Sequence, residues 1–155
     1  MRKSVLLIVI IVIGGVASCL YTTAQNQAGY YGLPVVACVD YTLPMTQKYH
    51  LTINITADGK NVPLDTNIGH DPGNCLRVIH TDDASGIVKI TANDSDQYTL
   101  GDFFNVWHKQ FSAQEFMGYI IGTGHHLSVA VNGRMVSTLE DTPLHPNETI
   151  SIVYR

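Results

Sequence analysis

Residues 49–62, YHLTINITADGKNV, decide how the rest of the chain is read. Tyr49, Leu51, Ile53 and Ile55 alternate with His50, Thr52, Asn54 and Thr56. That is the period-two pattern of a strand with one face against a core and the other toward water. Asp58-Gly59 follows. Glycine accepts positive φ and aspartate tolerates it, so the pair supplies a tight turn. Val62 and Leu64 form the returning strand, and the stretch is a β-hairpin. The same grammar recurs near the other end, where Leu127, Val129 and Val131 alternate with Ser128 and Ala130 and Asn132-Gly133 turns the chain into Arg134, Met135 and Val136. Tyr49-His50-Leu51-Thr52-Ile53 and His125-His126-Leu127-Ser128-Val129 look like one hairpin used twice, which gives His50 and His126 the same position in the repeat.

Between the hairpins, Leu76 to His80 and Ile87 to Ile90 are short apolar runs rich in β-branched residues and read as strands. Thr81 to Gly86 is a loop by composition. Two helix starts follow, Thr99-Leu100-Gly101-Asp102 and Ser112-Ala113-Gln114-Glu115. Each matches a capping box, in which the hydroxyl and the acid satisfy free backbone N–H groups. The first helix would carry Phe103, Phe104, Val106 and Trp107 into the core; the second, around Phe116 to Tyr119, is barely two turns before Gly122 and Gly124. Pro143, Pro146 and Asn147 turn the chain into a last strand, Thr149 to Tyr154. The fold expected is α+β: a small, mainly antiparallel sheet, β-grasp-like with two hairpins, carrying one or two short helices and preceded by an N-terminal hydrophobic helix.

The chain has 155 residues with 9 basic and 13 acidic side chains. Arg2 and Lys3 precede an apolar run from Val5 to Ile13 that continues through Gly14, Gly15, Val16 and Ala17 to Ser18-Cys19. A basic head before a short apolar segment is the pattern of a secretory leader. Residues 1–24 therefore read as a signal peptide or membrane anchor, residues 25–37 as a polar linker and residues 38–155 as one extracytoplasmic domain. Three fates fit the leader: lipidation at Cys19, cleavage near Ala24, or retention as an anchor. Each places the domain outside the cytoplasm, in a periplasm or pseudoperiplasm or at the cell surface. No Lys/Arg cluster remains beyond the leader, which argues against a nucleic-acid partner.

An oxidising compartment lets Cys38 and Cys75 pair as a disulfide; the rival, a Cys/His metal pair, needs thiolates kept reduced there. Asn54-Ile55-Thr56, Asn93-Asp94-Ser95 and Asn147-Glu148-Thr149 are acceptor sequences for N-glycosylation at Asn54, Asn93 and Asn147.

Residues 76–88, LRVIHTDDASGIV, followed by residues 98–107, YTLGDFFNVW, carry a resemblance. From about Cys38 to its end the chain resembles a family of secreted or membrane-anchored proteins of archaea, notably ammonia oxidisers, and of some bacteria. The family pattern is His-x-His-x-x-Leu on a strand, an Asn-Gly hairpin, Cys-Leu-x-x-x-His-Thr-His-Asp, Ser-Gly-Ile and Leu-Gly-x-Phe-Phe-x-x-Trp. The resemblance implies no activity; its clustered histidines imply a metal site. This sequence departs from the pattern where the first family histidine falls on Lys48 or Tyr49, and where His-Thr-His-Asp has become His80-Thr81-Asp82-Asp83. About half of such a ligand set is kept.

Read from the residues themselves, alternation sends His80 and Asp82 to one side. With His50 from a neighbouring strand and His126 at the matching repeat position, they would form a nitrogen/oxygen site suited to copper or zinc. The competing reading has Asp82 and Asp83 capping a turn and His80 hydrogen-bonded within its strand. His70, His108 and His145 read as surface residues. Catalytic signatures are wanting: Ser85-Gly86 is no nucleophile elbow, and paired cysteines are no nucleophiles. The function expected is a non-catalytic, membrane-tethered binding or accessory module with a protein partner, a subunit of a larger envelope complex. The alternative is a copper- or zinc-binding protein.

Overall fold

The computed structural model describes residues 36–122 and 124–155. The expectations for residues 1–24, for Cys19 and for the linker up to residue 35 lie outside the described residues. Among the described residues, no helix is long and apolar enough to cross a membrane.

Strand β1 (Gln47–Ala57) is the spine of the domain. Leu51, Ile53 and Ile55 are buried while His50 and Asn54 are exposed, as the alternation requires. The turn to β2 (Lys60–Val62) places Asp58 at φ +48° and Gly59 at +75°. Two successive positive-φ residues make the type I′ turn whose twist matches a two-stranded ribbon. Two short strands, β3 (His70–Asp71) and β4 (Cys75–Leu76), pair with one another apart from the main sheet. β5 (Ile79–His80) and β6 (Ile87–Ala92) return to it. Helix α1 (Leu100–Val106) and a small hairpin, β7 (Glu115–Phe116) and β8 (Tyr119–Ile120), follow. The chain closes with β9 (Leu127–Val131), β10 (Arg134–Val136), a 3₁₀ turn (Leu139–Asp141) and β11 (Thr149–Tyr154).

The main sheet runs β10-β9-β11-β1-β6-β5, with β2 pairing the far end of β1. β1 and β11 are parallel, in register Thr52 to Thr149 through Ala57 to Tyr154; the other ladders of this sheet are antiparallel. The domain is thus α+β, with a mixed sheet and one helix. Leu51, Ile53, Ile55, Val88, Ile90, Ile150 and Ile152 share a core with Phe103, Phe104 and Trp107. The opposite face, carrying Lys48, His50, Thr52, Asn54 and Thr56 on β1, stays exposed or half-buried.

The capping box foreseen at Thr99 forms. Thr99 Oγ1 accepts from the Asp102 N–H at 3.3 Å, and Asp102 Oδ2 accepts from the Thr99 N–H at 2.9 Å. Seven residues alone could not sustain a helix; α1 holds because Leu100, Phe103 and Phe104 are buried to 1 % exposure or less.

Three expectations need correction. The second helix does not exist. Ser112 Oγ does accept from the Gln114 and Glu115 N–H groups, at 3.2 and 3.1 Å. The chain then turns at Met117 and Gly118, with φ of +50° and +89°, and β7 pairs with β8. This register buries Phe116 against Phe104, Phe111 and Tyr154, which fills the core better than a two-turn helix ending in glycines. The run Leu76 to His80 is not one strand. The chain bends at Val78, after Arg77 has bridged to Cys38, and the Arg77 side chain donates to Asp71 Oδ2 at 2.7 Å and to the Val36 carbonyl at 2.6 Å. Val36 and Ala37, expected at the end of the linker, belong to the domain: Val36 is 8 % exposed, and the Ala37 carbonyl accepts from the Val78 N–H.

Candidate functional site

The N-terminal half of β1 forms one wall of an open groove of about 720 Å³. Gln47 to His50 lie along it, Ser95 to Gln97 face them, and Leu144 to Asn147 complete it. Backbone and side chains tie these three segments together. Tyr49 donates its hydroxyl to the Leu144 carbonyl at 2.9 Å, the Asn147 N–H donates to the His50 carbonyl at 2.8 Å, and Gln47 Nε2 donates to the carbonyls of Asp94 and Asp96 at 3.2 and 2.9 Å. Burial pushes the Tyr49 phenol up. Beneath the groove Tyr98 donates to Asp94 Oδ1 at 2.7 Å, and burial together with that carboxylate pushes its phenol up. Both tyrosines are therefore neutral donors that brace the walls. The groups free to meet a ligand are polar: Lys48, His50, Asp96 and His145. Pockets of this size normally hold small molecules behind apolar walls; a polar, open groove instead suits a polar group or the loop of another protein.

A second cluster lies on the helix-free face near the β5 edge. The register sets His50 opposite Lys89, and Lys89 opposite His80, in one row across β1, β6 and β5. His80 is only 5 % exposed because the chain at Gly69 crosses directly over it: a Cβ on Gly69 would sit 3.2 Å from the His80 Cβ. His80 Nδ1 lies 3.1 Å from the Arg77 carbonyl, and that contact needs the tautomer carrying hydrogen on Nδ1. Burial pushes the His80 imidazole below its ordinary value, partly offset by the Arg77 carbonyl and by Asp82. The His70 ring stands edge-on to it, with centroids 6.0 Å apart. Asp82 pairs with Lys89 on one oxygen and lies 3.9 Å from His70 Nε2 on the other. Its hydrogen bond from Lys89 holds the carboxyl below the usual range. Asp83 Oδ1 accepts from the Ser85 N–H at 2.9 Å, as an aspartate capping a turn does.

The expected metal set of His50, His80, Asp82 and His126 is not brought together. His50 and His80 stand on either side of Lys89, two strand spacings or roughly 10 Å apart. His126 pairs with Arg155, just past Tyr154, whose partner on β1 is Ala57. That is seven residues along β1 from His50, roughly 23 Å at strand rise. The likeness of the two hairpins suggested that His50 and His126 meet, but β11 lies between them and sets them at opposite ends of the sheet. Among the described residues, no three His, Cys, Asp or Glu side chains are grouped to hold a metal ion.

The cysteine pairing holds. Cys38 and Cys75 form a disulfide with Cα atoms 5.3 Å apart, closing a separation of 37 residues. The acceptor asparagines differ sharply. Asn54 and Asn147 are exposed. Asn93 is half-buried and fully engaged: Nδ2 donates to the Asp40 and Pro44 carbonyls at 2.9 and 3.1 Å, and Oδ1 accepts from the Asp40 N–H at 2.8 Å.

Of the residues singled out in the sequence, His50 lines the groove and His80 and Asp82 lie in the second cluster; His70 and His145, read there as surface residues, and Asp96 join them. No spacing announces these last three, since His145 and Asp96 arrive on loops and His70 on the two-residue strand β3, whose positions contacts distant along the chain set. The chain matches no family model, curated protein or solved structure in the comparisons made.

Proposed function

We propose that residues 36–155 form a non-catalytic binding module on the extracytoplasmic side of a membrane, tethered by the N-terminal segment as an accessory subunit of a larger envelope complex. We read the sheet as a β-grasp arrangement. A hairpin flanks each side of the parallel β1/β11 pair, and one helix lies against one face, which supports that reading. The polar groove at the foot of β1 is the binding surface, and a loop of a protein partner its occupant.

The observation that carries this reading is the Cys38–Cys75 bridge. Disulfides persist in oxidising compartments and are rare in the cytosol, and this one ties the first residues of the domain to β4. The test uses the full chain in intact cells. Protease added from outside should digest the domain, and both thiols should resist alkylation until a reductant is added. A domain protected from protease, with thiols that alkylate directly, overturns the proposal.

A further inference from the structure

We propose that the folded protein carries N-linked oligosaccharides at Asn54 and Asn147, and none at Asn93, whose side chain is a structural staple. The inference rests on the extracytoplasmic reading above and goes beyond it by assigning which acceptor sequences are used.

Transfer requires a free side-chain amide. Its Nδ2 bonds to the anomeric carbon of a lipid-phosphate-linked oligosaccharide, the carbon–oxygen bond to phosphate breaks, and the lipid phosphate leaves with the electron pair. One amide proton passes to a base of the transferase. In the folded chain Asn93 does not present that nitrogen. Three backbone carbonyls ring its Nδ2, those of Asp40 at 2.9 Å, Pro44 at 3.1 Å and Leu43 at 3.4 Å, with the Met45 sulfur at 3.7 Å. Oδ1 is occupied by the Asp40 N–H at 2.8 Å. A sugar on Nδ2 would force the side chain out of this ring and release the segment from Asp40 to Thr46. That segment leads directly into β1, so the modified chain loses the entry to its central strand.

The other two acceptors are the reverse case. No hydrogen bond among the described residues holds the side-chain amide of Asn54 or Asn147, and both residues are exposed. Asn54 points from the middle of β1 to the helix-free face, opposite Ser151. Asn147 precedes β11 at φ +61°, its N–H bound to the His50 carbonyl. A glycan on Asn54 would project from the helix-free side, over Thr52, Thr56, Ser151 and Ala130, whose small side chains leave room for sugar; one on Asn147 would stand at the end of the polar groove and narrow the partner's approach to it.

The test expresses the full chain in a cell whose secretory route glycosylates asparagine, with one extra acceptor sequence in a flexible extension after Arg155 as a control. Glycans are counted by stepwise glycosidase digestion and glycopeptide mass spectrometry on the soluble, folded material. The expected count is the control plus two. Asn54→Gln and Asn147→Gln each remove one glycan. Ser95→Ala destroys the acceptor sequence while keeping Asn93, and leaves both count and melting temperature unchanged. Asn93→Gln leaves the count unchanged and lowers the melting temperature. A glycan lost in Ser95→Ala, or a control that is modified while Asn54 or Asn147 is bare, overturns the inference with the location intact. An unmodified control overturns the extracytoplasmic reading and this inference with it.

Discussion

His80 is the residue whose chemistry most depends on the fold. Its imidazole is buried, and burial depresses its proton affinity below the ordinary value of 6.5. The unfolded chain therefore takes up a proton as pH falls through 6.5 while the folded chain does not. The stability this residue contributes is present above that pH and declines below it, until the folded imidazole itself titrates. Asp82, which Lys89 pairs, offsets part of that depression, whereas His70 beside the ring adds to it. Thermal melts between pH 7.5 and 5.5 should show falling stability, and His80→Asn, which keeps a donor for the Arg77 carbonyl, should flatten part of that fall. An unchanged slope in the variant would place the titration elsewhere. Gly69 above it is equally constrained. It sits at φ +77°, and a Cβ there would lie 2.4 Å from the Ile79 carbonyl oxygen. Gly69→Ala should cost about 2 kcal/mol or more in chemical denaturation, from left-handed strain plus that collision.

Among the elements, the hairpin Glu115–Ile120 gives a test in which the sign decides. In a helix, replacing Gly118 with alanine would stabilise by about 0.5–1 kcal/mol. In the turn observed, Gly118 has φ +89° and open space around its missing Cβ. Gly118→Ala should therefore destabilise by about 1 kcal/mol, from backbone conformation alone. Helix α1 behaves in the ordinary way: Thr99→Ala removes the acceptor for the Asp102 N–H and should cost about 1 kcal/mol. Urea midpoints measured at constant slope would give both values.

For the whole molecule, the disulfide is the largest single constraint outside the core. Closing a separation of 37 residues is worth roughly 3–4 kcal/mol in the chain-entropy model. Reduction under native conditions, or a Cys38→Ser/Cys75→Ser double variant, should lower stability by about that amount and leave the fold recognisable by circular dichroism. The scattering of His50 and His126 has its own consequence. Elemental analysis of untagged protein after loading with copper or zinc at neutral pH should find no stoichiometric metal that His126→Ala removes. One equivalent lost in that variant would make His126 a metal ligand and overturn this prediction.

Much of this architecture was legible in the chain. Alternation from Tyr49 to Ile55 predicted β1 and its buried face, because a pleat of period two leaves a pattern that neighbours cannot disguise. Asp58-Gly59 and Asn132-Gly133 predicted two turns, since their residue types favour the positive φ a type I′ turn needs. The third such turn, Met117-Gly118, was illegible: methionine carries no turn preference, and only burial of Phe116 among Phe104, Phe111 and Tyr154 selects that conformation. The Cys38–Cys75 pairing followed from cysteine count and the compartment that the leader pattern led us to expect. Which histidines meet did not. His50, His80 and His126 are separated, and His70 joins His80, because strand order and register are decided by contacts distant along the chain. The same cause hid the staple at Asn93, an acceptor sequence by its letters and a loop anchor 53 residues from Asp40 by its contacts. Local pattern determined β1, helix α1 and the two Asx-Gly turns; the sheet, closing over one shared core, decided what residues 112–120 became and which side chains are neighbours.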